Sequence, residues 1–233
     1  MAAKQKEEGH LGLALPAPNR DITASMPSAF LLPPENVEFL PEDYCARLDL
    51  SALYPGRESA PLEADLGSGD GAFLAAMAER FPERNFLGVE RLLGRVRRTC
   101  RKLAAAGACN ARVIRLESHY LVRYLLPAGS VQTFHVMFPD PWPKRRHHPK
   151  RLIQTAFLDD AWTALAPGGE IRLTTDDAPY FQHMRRVFEA HPGFAEEPWT
   201  PGPDYPRTDF EAMFRSHGLP IHRALLRRKE RGE

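Results

Sequence analysis

The sequence predicts an α/β domain built on a mostly parallel sheet with helices on both faces. Three observations predict it. From residue 61 onward, short apolar runs alternate with amphipathic stretches, the pattern of repeated strand–helix–strand units. A glycine triplet, Gly67, Gly69 and Gly71, follows the first of these runs, as a tight strand-to-helix turn requires. A length of 233 residues, 43% hydrophobic and 26% charged, suits one sizeable core and falls short of two ordinary domains.

The elements follow in order. Residues 1–60 are rich in proline and poor in periodicity: APAPNR, LLPPEN and LYPGRE read as turn or linker. A partly disordered N-terminal extension is expected there, with a short helix near 41–48, and the folded domain occupies 61–233. The first strand is PLEADL (61–66), then GSGDG, then the helix FLAAMAERF (73–81). NFLGVE (85–90) is the second strand, and 91–107 a helix that Gly107 closes. ARVIRL (111–116) is the third strand and SVQTFHVMF (130–138) the fourth, long and apolar. A helix over 151–169 stops at Pro-Gly-Gly, EIRLTT (170–175) is the fifth strand, and 178–191 is a further helix. Residues 193–199 and 220–228 are read as two closing strands, seven strands in all, and no internal repeat is visible. Such a sheet places its ligand beyond the carboxyl ends of its strands.

Composition narrows the function classes. No apolar run approaches the ~18 residues of a membrane-spanning helix, and the opening MAAKQKEEGH lacks the apolar stretch of a secretory signal. A cytosolic location with no membrane partner is expected. Cys45, Cys100 and Cys109 are odd in number and lack metal-ligand spacing, so they read as reduced thiols. The nine histidines suggest no metal site either; His147 and His148 are adjacent and His183 is alone on a helix. The net charge of +1 announces no polyanionic partner. Its distribution is less even. Arg84, Arg91, Arg95, Arg97, Arg98, Arg101 and Lys102 meet one acid, Glu90, in their segment, and Lys144–Arg151 holds five basic residues and no acid.

The glycine turn carries the first chemistry. Asp65 precedes it and Glu90 closes the second strand. A carboxylate there accepts both hydroxyls of an adenosine ribose. The alternative is a tight turn with an incidental acid. The order strand, triplet, helix, strand and terminal acid favours a nucleoside site. The spacing G-x-G-x-G is tighter than the G-x-G-x-x-G of dinucleotide binders, which favours S-adenosylmethionine over a nicotinamide cofactor. That ligand has no pyrophosphate, but its amino group and sulfonium suit nearby carboxylates such as Asp65 and Asp140.

The fourth strand runs into Phe138-Pro139-Asp140-Pro141-Trp142-Pro143-Lys144 and a basic run. Each proline fixes its own φ and restricts its predecessor, so the direction of Asp140 is constrained where the ligand is expected. Trp142 offers a face for a base, and the basic run suits phosphates. A rigid loop with a solvated tip is the alternative. In the helix after Glu90, Arg91, Arg95, Arg98 and Lys102 share one face, and Leu92, Val96, Cys100 and Leu103 share the other, toward the sheet. Such a stripe is more often a solvated face than an RNA contact.

The segment FPDPWPKRRHHPKR resembles the signature of bacterial tRNA (guanine-N7)-methyltransferases. ADLGSGDG with FLGVE, the TTD at Thr174–Asp176 and RTDFE at Arg207–Glu211 fit the same family, so the resemblance covers roughly residues 61–228. It implies a Rossmann-like class I methyltransferase fold and methyl transfer from S-adenosylmethionine to N7 of a tRNA guanine, in the variable loop, without a metal. It implies that Asp65, Gly67, Gly69, Gly71, Glu90, Arg91, Glu117, Ser118 and Asp140 surround the methyl donor, with Asp140 closest to the chemistry. Lys144, Asp176, Thr208, Asp209, Phe210 and Glu211 would contact the RNA, and Arg146, His147 and Arg151 would lie against its backbone. The family usually carries glutamate where this chain has Asp65, and aspartate or asparagine where it has Glu117.

Two carboxylates, Asp176 and Glu211, are candidates to accept N1–H and the amine of guanine, where adenine would present an acceptor. Glu211 has a second reading, as part of a capping box begun by Thr208. A methyltransferase for a small molecule or protein would keep the glycine turn, Glu90 and Asp140 without needing the basic loop. An RNA-binding protein with a degenerate cofactor pocket is a third reading, and a nicotinamide dehydrogenase fits the glycine spacing poorly.

Overall fold

The structure, a computed structural model, describes residues 37–230. Most of the expected N-terminal extension, residues 1–36, lies outside the described residues, as do 231–233. The elements are β1 (Glu38–Phe39), α1 (Leu50–Leu53), β2 (Leu62–Leu66), α2 (Ala72–Arg80), β3 (Asn85–Glu90), α3 (Leu93–Ala105) and β4 (Ala111–Arg115). There follow α4 (Ser118–Tyr120), a π turn (Leu121–Leu125), β5 (Val131–Met137), a 3-10 turn (Arg145–Lys150), α5 (Thr155–Ala164) and β6 (Leu165–Thr175). The chain ends with α6 (Ala178–Ala190), β7 (Phe194–Glu197), α7 (Asp209–Ser216) and β8 (His222–Arg228).

One sheet holds all the described strands in the order β1-β4-β3-β2-β5-β6-β8-β7. All pairs are parallel except those of β8, which lies antiparallel between β6 and β7. The fold class is the α/β class expected, with eight strands instead of seven. The eighth is the two-residue β1, which pairs with β4 through Glu38 and Phe39. Strand order reverses where β2 pairs with β3 on one side and β5 on the other, and such a switch point opens a crevice at the strands' carboxyl ends.

Alternation along the strands divides the core between the two faces. Phe86 of β3 joins Phe73, Met77, Val96 and Leu103 of α2 and α3. Its neighbours Leu87 and Val89 join Phe134, Phe157, Tyr180 and Met184 on the opposite face. Helix starts are set by local chemistry. Asp177 accepts from Tyr180 N at 2.7 Å to cap α6, and Thr208 accepts from Glu211 N at 3.0 Å to cap α7.

Several boundaries differ from the sequence expectation. The short helix expected near 41–48 is instead Leu50–Leu53, placed by Asp49, which accepts from Ser51 N and Ala52 N. The helix expected over 151–169 spans Thr155–Ala164. The carbonyls of Thr163 and Ala164 accept from Gly129 N and Ser130 N, each at 2.9 Å, and the next residues join β6. Leu92 does not face the sheet. It is extended and 50% exposed at the start of α3, and Thr99 is buried in that face instead.

Candidate active site

A cavity of about 590 Å³ opens at the carboxyl ends of β2, β3, β4 and β5, a size suited to one small ligand. Asp65 and Leu66 end β2, Val89 and Glu90 end β3, Leu116 and Glu117 follow β4, and Met137 ends β5; all line it. The sequence-expected Gly67, Gly69, Arg91, Ser118, Asp140, Thr208, Asp209 and Phe210 line it too.

The glycine turn explains its own composition. Gly67, Gly69 and Gly71 have φ of 91°, 59° and 81°, a region that penalises side chains. At Gly67 and Gly69 a Cβ would meet open space, so the backbone there faces the cavity. Gly71 is not part of the lining. A Cβ on it would lie 2.5 Å from Thr99 Cγ2, so the third glycine serves the packing of α2 against α3. Ser68 lines the cavity, and its Oγ is buried with no hydrogen-bond partner among the described residues, a group that a polar ligand would satisfy.

The carboxylates differ in environment. Asp65 is 3% exposed; burial first, and Glu90 second, push its pKa up to about 7. Glu90 accepts from Leu92 N at 2.8 Å and lies 3.5 Å from Arg95. Glu117 accepts from His119 N at 3.0 Å and from Tyr120 N at 2.8 Å. Its longer side chain thus caps α4 while lining the cavity. Asp140 is exposed at the cavity wall.

The proline-rich loop is more constrained than its prolines alone require. Phe138 and Trp142, on either side of Pro139-Asp140-Pro141, have φ of 52° and 44°. Non-glycine residues rarely adopt that region, and it clusters at functional sites. Phe138 packs against Phe210 and Phe214 of α7, with ring centroids 6.2 and 5.4 Å apart. Trp142 is already engaged, with the Lys150 ammonium 4.9 Å over its ring and His147 edge-on at 5.7 Å. The freer aromatic is Phe210, which is 49% exposed.

The other expected RNA-facing residues lie outside the lining. Lys144 and Arg146 are exposed and His147 is half-buried, at the adjoining 3-10 turn. Asp176 follows β6 and is half-buried. Arg151, expected against an RNA backbone, is instead 6% exposed. Its Nε donates to Pro141 O at 2.8 Å and its guanidinium lies 4.6 Å from the Tyr180 ring, so it braces the loop from within. Glu211 is likewise 6% exposed. Its Oε1 accepts from Arg215 Nε at 2.9 Å and from an Arg223 guanidinium N–H at 2.7 Å. It holds α7 to β8, and its backbone amide supplies the Thr208 cap.

The lining also includes residues that sequence reasoning had not assigned to the site, among them Ser68, Asp70, Leu92 and Met213. Sequence reasoning also missed a buried chain of polar groups beneath it. His135 of β5 faces Glu63 of β2 at 2.7 Å and the Tyr205 hydroxyl at 2.8 Å. Burial alone raises Glu63, but hydrogen bonds from His135 and Arg84 hold it below its ordinary value. His135 Nε2 faces the Glu63 carboxylate and Nδ1 faces the Tyr205 hydroxyl, so the ring bridges the two. Alternation hinted at an inward-facing His135; nothing local pointed to Tyr205, 70 residues away.

Among the described residues, no cluster of three or more His, Cys, Asp or Glu could hold a metal, and the three cysteines are unpaired.

Comparison with known proteins matches residues 59–224 to a family described as putative methyltransferase. The tRNA (guanine-N(7)-)-methyltransferase of Aeromonas hydrophila is 39% identical over 194 residues, covering 81% of this chain and 78% of the relative. That of Halorhodospira halophila is 40% identical over 185 residues, covering 77% and 79%. The crystal structure of the antibiotic-resistance methyltransferase Kmr superposes with a TM-score of 0.55 at 20% identity, covering 83% of this chain and 96% of that one. The last likeness extends the Rossmann-like methyltransferase fold to this chain, and the first two place it more narrowly: it belongs to the tRNA (guanine-N7)-methyltransferase family.

Proposed function

We propose that this protein transfers a methyl group from S-adenosylmethionine to N7 of a guanine in tRNA, in the variable loop. Guanine-N7 methyl transfer is carried by the family's relatives, which bear that activity in their names over most of both chains; the variable loop is what the resemblance of the proline-rich segment implies. The cavity supports the methyl transfer.

The residues present fit the methyl donor. Asp65 and Glu90 offer carboxylates to a ribose diol and to cationic groups, Gly67 and Gly69 leave open space over their backbone, and Ser68 Oγ awaits a partner. The donor supplies a methyl on a positively charged sulfur. Guanine N7 carries an in-plane lone pair and no proton, so its attack forms the N–C bond as the C–S bond breaks and requires no general base. Charge moves onto the guanine ring as this happens. Asp140, at the cavity wall, stabilises that cation and orients the reactants. Alignment of reactants contributes roughly 7–11 kcal/mol in well-oriented systems, and the constrained backbone at Phe138 and Trp142 fixes the position of Asp140.

In this reading Thr208, Asp209 and Phe210 meet the target base, with Phe210 as its stacking face. Asp176 follows β6 and lies outside the lining, and Lys144, Arg146 and His147 meet phosphates. Arg151 and Glu211 act through the loop and helix they hold. The location is the cytosol; none of the described helices is long and apolar enough to cross a membrane.

The test is methyl transfer from radiolabelled S-adenosylmethionine to unmodified bulk tRNA, with the product nucleosides separated. Label in 7-methylguanosine is the expected result. Label in another nucleoside overturns the guanine assignment. No label, with the donor still bound, moves the substrate outside tRNA.

A further inference from the structure

Helix α3 carries an unusual charge load. Its outward arc presents Arg97, Arg98 and Arg101, with Gly94 and Ala105 as the other exposed residues, while Val96, Thr99 and Leu103 are buried. Arg97 and Arg101 are four positions apart, as are Arg98 and Lys102. Like charges at that spacing destabilise a helix. Glu90 lies by Arg95 at 3.5 Å, and Asp70 takes Lys102 at 2.7 Å. Arg91, Arg97, Arg98, Arg101 and the exposed Arg115 make no ion pair among the described residues. Arg115 lies beside Arg91, its Nε donating to the Arg91 carbonyl at 3.4 Å. The arc is continuous with the cavity, because Arg91, Arg95 and Arg98 line it.

We infer that the outward face of α3, extended by Arg91 and Arg115, is a rail for the phosphodiester backbone of the RNA whose base enters the cavity. This rests on the tRNA reading above and goes beyond it by assigning a second contact surface, across the cavity from the basic 3-10 turn. Guanidinium forks match phosphate oxygens two at a time, and a polyanion relieves the repulsion that the helix bears alone. A lipid surface fits less well, since the arc holds no large apolar side chain to insert beside its charges.

The test uses the full chain and the double variant Arg97→Gln/Arg101→Gln, neither residue lining the cavity. Affinity for unmodified tRNA is measured by filter binding across a salt series, S-adenosylmethionine affinity by calorimetry, and thermal stability by melting. Loss of two phosphate contacts predicts a tRNA affinity at least about ten-fold weaker at low salt and a salt slope smaller by about 1.4–1.8. Donor affinity should hold and the melting temperature should rise, because repulsion is relieved. A merely solvated face predicts the rise in melting temperature with tRNA affinity unchanged, and that result overturns the inference. Arg97→Lys/Arg101→Lys should recover most of the salt slope; failure to do so also counts against it. Anionic vesicles bound by the wild type and lost by the Gln variant, with tRNA binding intact, reassign the face to lipid and overturn it. If the wild type methylates tRNA guanine while the Gln variant binds tRNA normally, the rail fails and the functional reading stands. If the wild type neither binds nor methylates tRNA, both fall.

Discussion

At Asp65, burial and the Glu90 carboxylate set a pH-dependent balance. The carboxyl moves from an ordinary 3.8 to about 7 in the folded protein. Between those values the folded state holds a proton that the unfolded state has lost. Stability therefore falls as pH rises through this window, and the full penalty is present above it. Asp65→Asn should flatten that profile, read from melting temperatures across the window. A cationic ligand reverses the preference, since it favours the ionised carboxylate. Donor affinity should rise with pH toward about 7 and binding should release a proton, detected by calorimetry in buffers of different ionisation enthalpy. An affinity independent of pH and buffer would remove Asp65 from the cationic end of the ligand. Asp140 is exposed and makes a different prediction. Asp140→Ala should lower turnover by about a hundredfold and change tRNA affinity little, measured by single-turnover kinetics beside filter binding. Equal loss of both would reassign it to RNA binding.

Elements determine how those residues are presented. The glycine turn and the start of α2 are one unit whose glycines do different work. Gly69→Ala meets open space at φ 59° and should cost about 1–2 kcal/mol in backbone strain, with its main effect on donor affinity. Gly71→Ala adds a Cβ 2.5 Å from Thr99 and should cost about 1–3 kcal/mol more through overpacking. Denaturant unfolding of the pair checks this, and equal losses would mean that α3 gives way. The loop over 198–208 leads into α7 and is held to β5 by the hydrogen bond between Tyr205 and His135. Tyr205 also packs near Phe73 and Trp199, with ring centroids 5.5 and 5.4 Å apart. Tyr205→Phe leaves His135 Nδ1 unpartnered and should cost about 1–3 kcal/mol. Because the loop delivers Thr208 and Phe210, KM for tRNA should rise several-fold while donor affinity holds. An unchanged KM in a destabilised variant would limit this hydrogen bond to stability.

For the whole molecule, a net charge of +1 coexists with basic surfaces on both sides of one cavity. The long-range field is weak and the local field is strong, so association with tRNA should depend steeply on salt despite near neutrality. Measured as log K against log salt, a slope near zero would mean that phosphates contribute little. The sheet makes this arrangement possible, since reversal of strand order at β2 and β5 gathers segments from across the chain at one edge.

What the sequence by itself determined was largely local. Residues 61–66 and 85–90 were legible as strands, and Gly67 and Gly69 as a tight positive-φ turn, because periodicity and glycine geometry act within a few residues. The proline-rich loop was legible as constrained, although the positive φ at Phe138 and Trp142 was not. Tertiary structure alone decided the place of several other polar residues. Arg151 and Glu211 looked like RNA contacts, yet each found partners that hold it inside: Pro141 and Tyr180 for one, Arg215 and Arg223 for the other. Conversely, Arg98 reached the cavity from a stripe that read as solvated. Gly71 became a packing residue because α3 passes close to it. The insertion of β8 between β6 and β7 and the link from His135 to Tyr205 join segments far apart in the chain. No local pattern encodes such pairings, because a charged or polar side chain takes its role from whichever partner folding brings within hydrogen-bond reach.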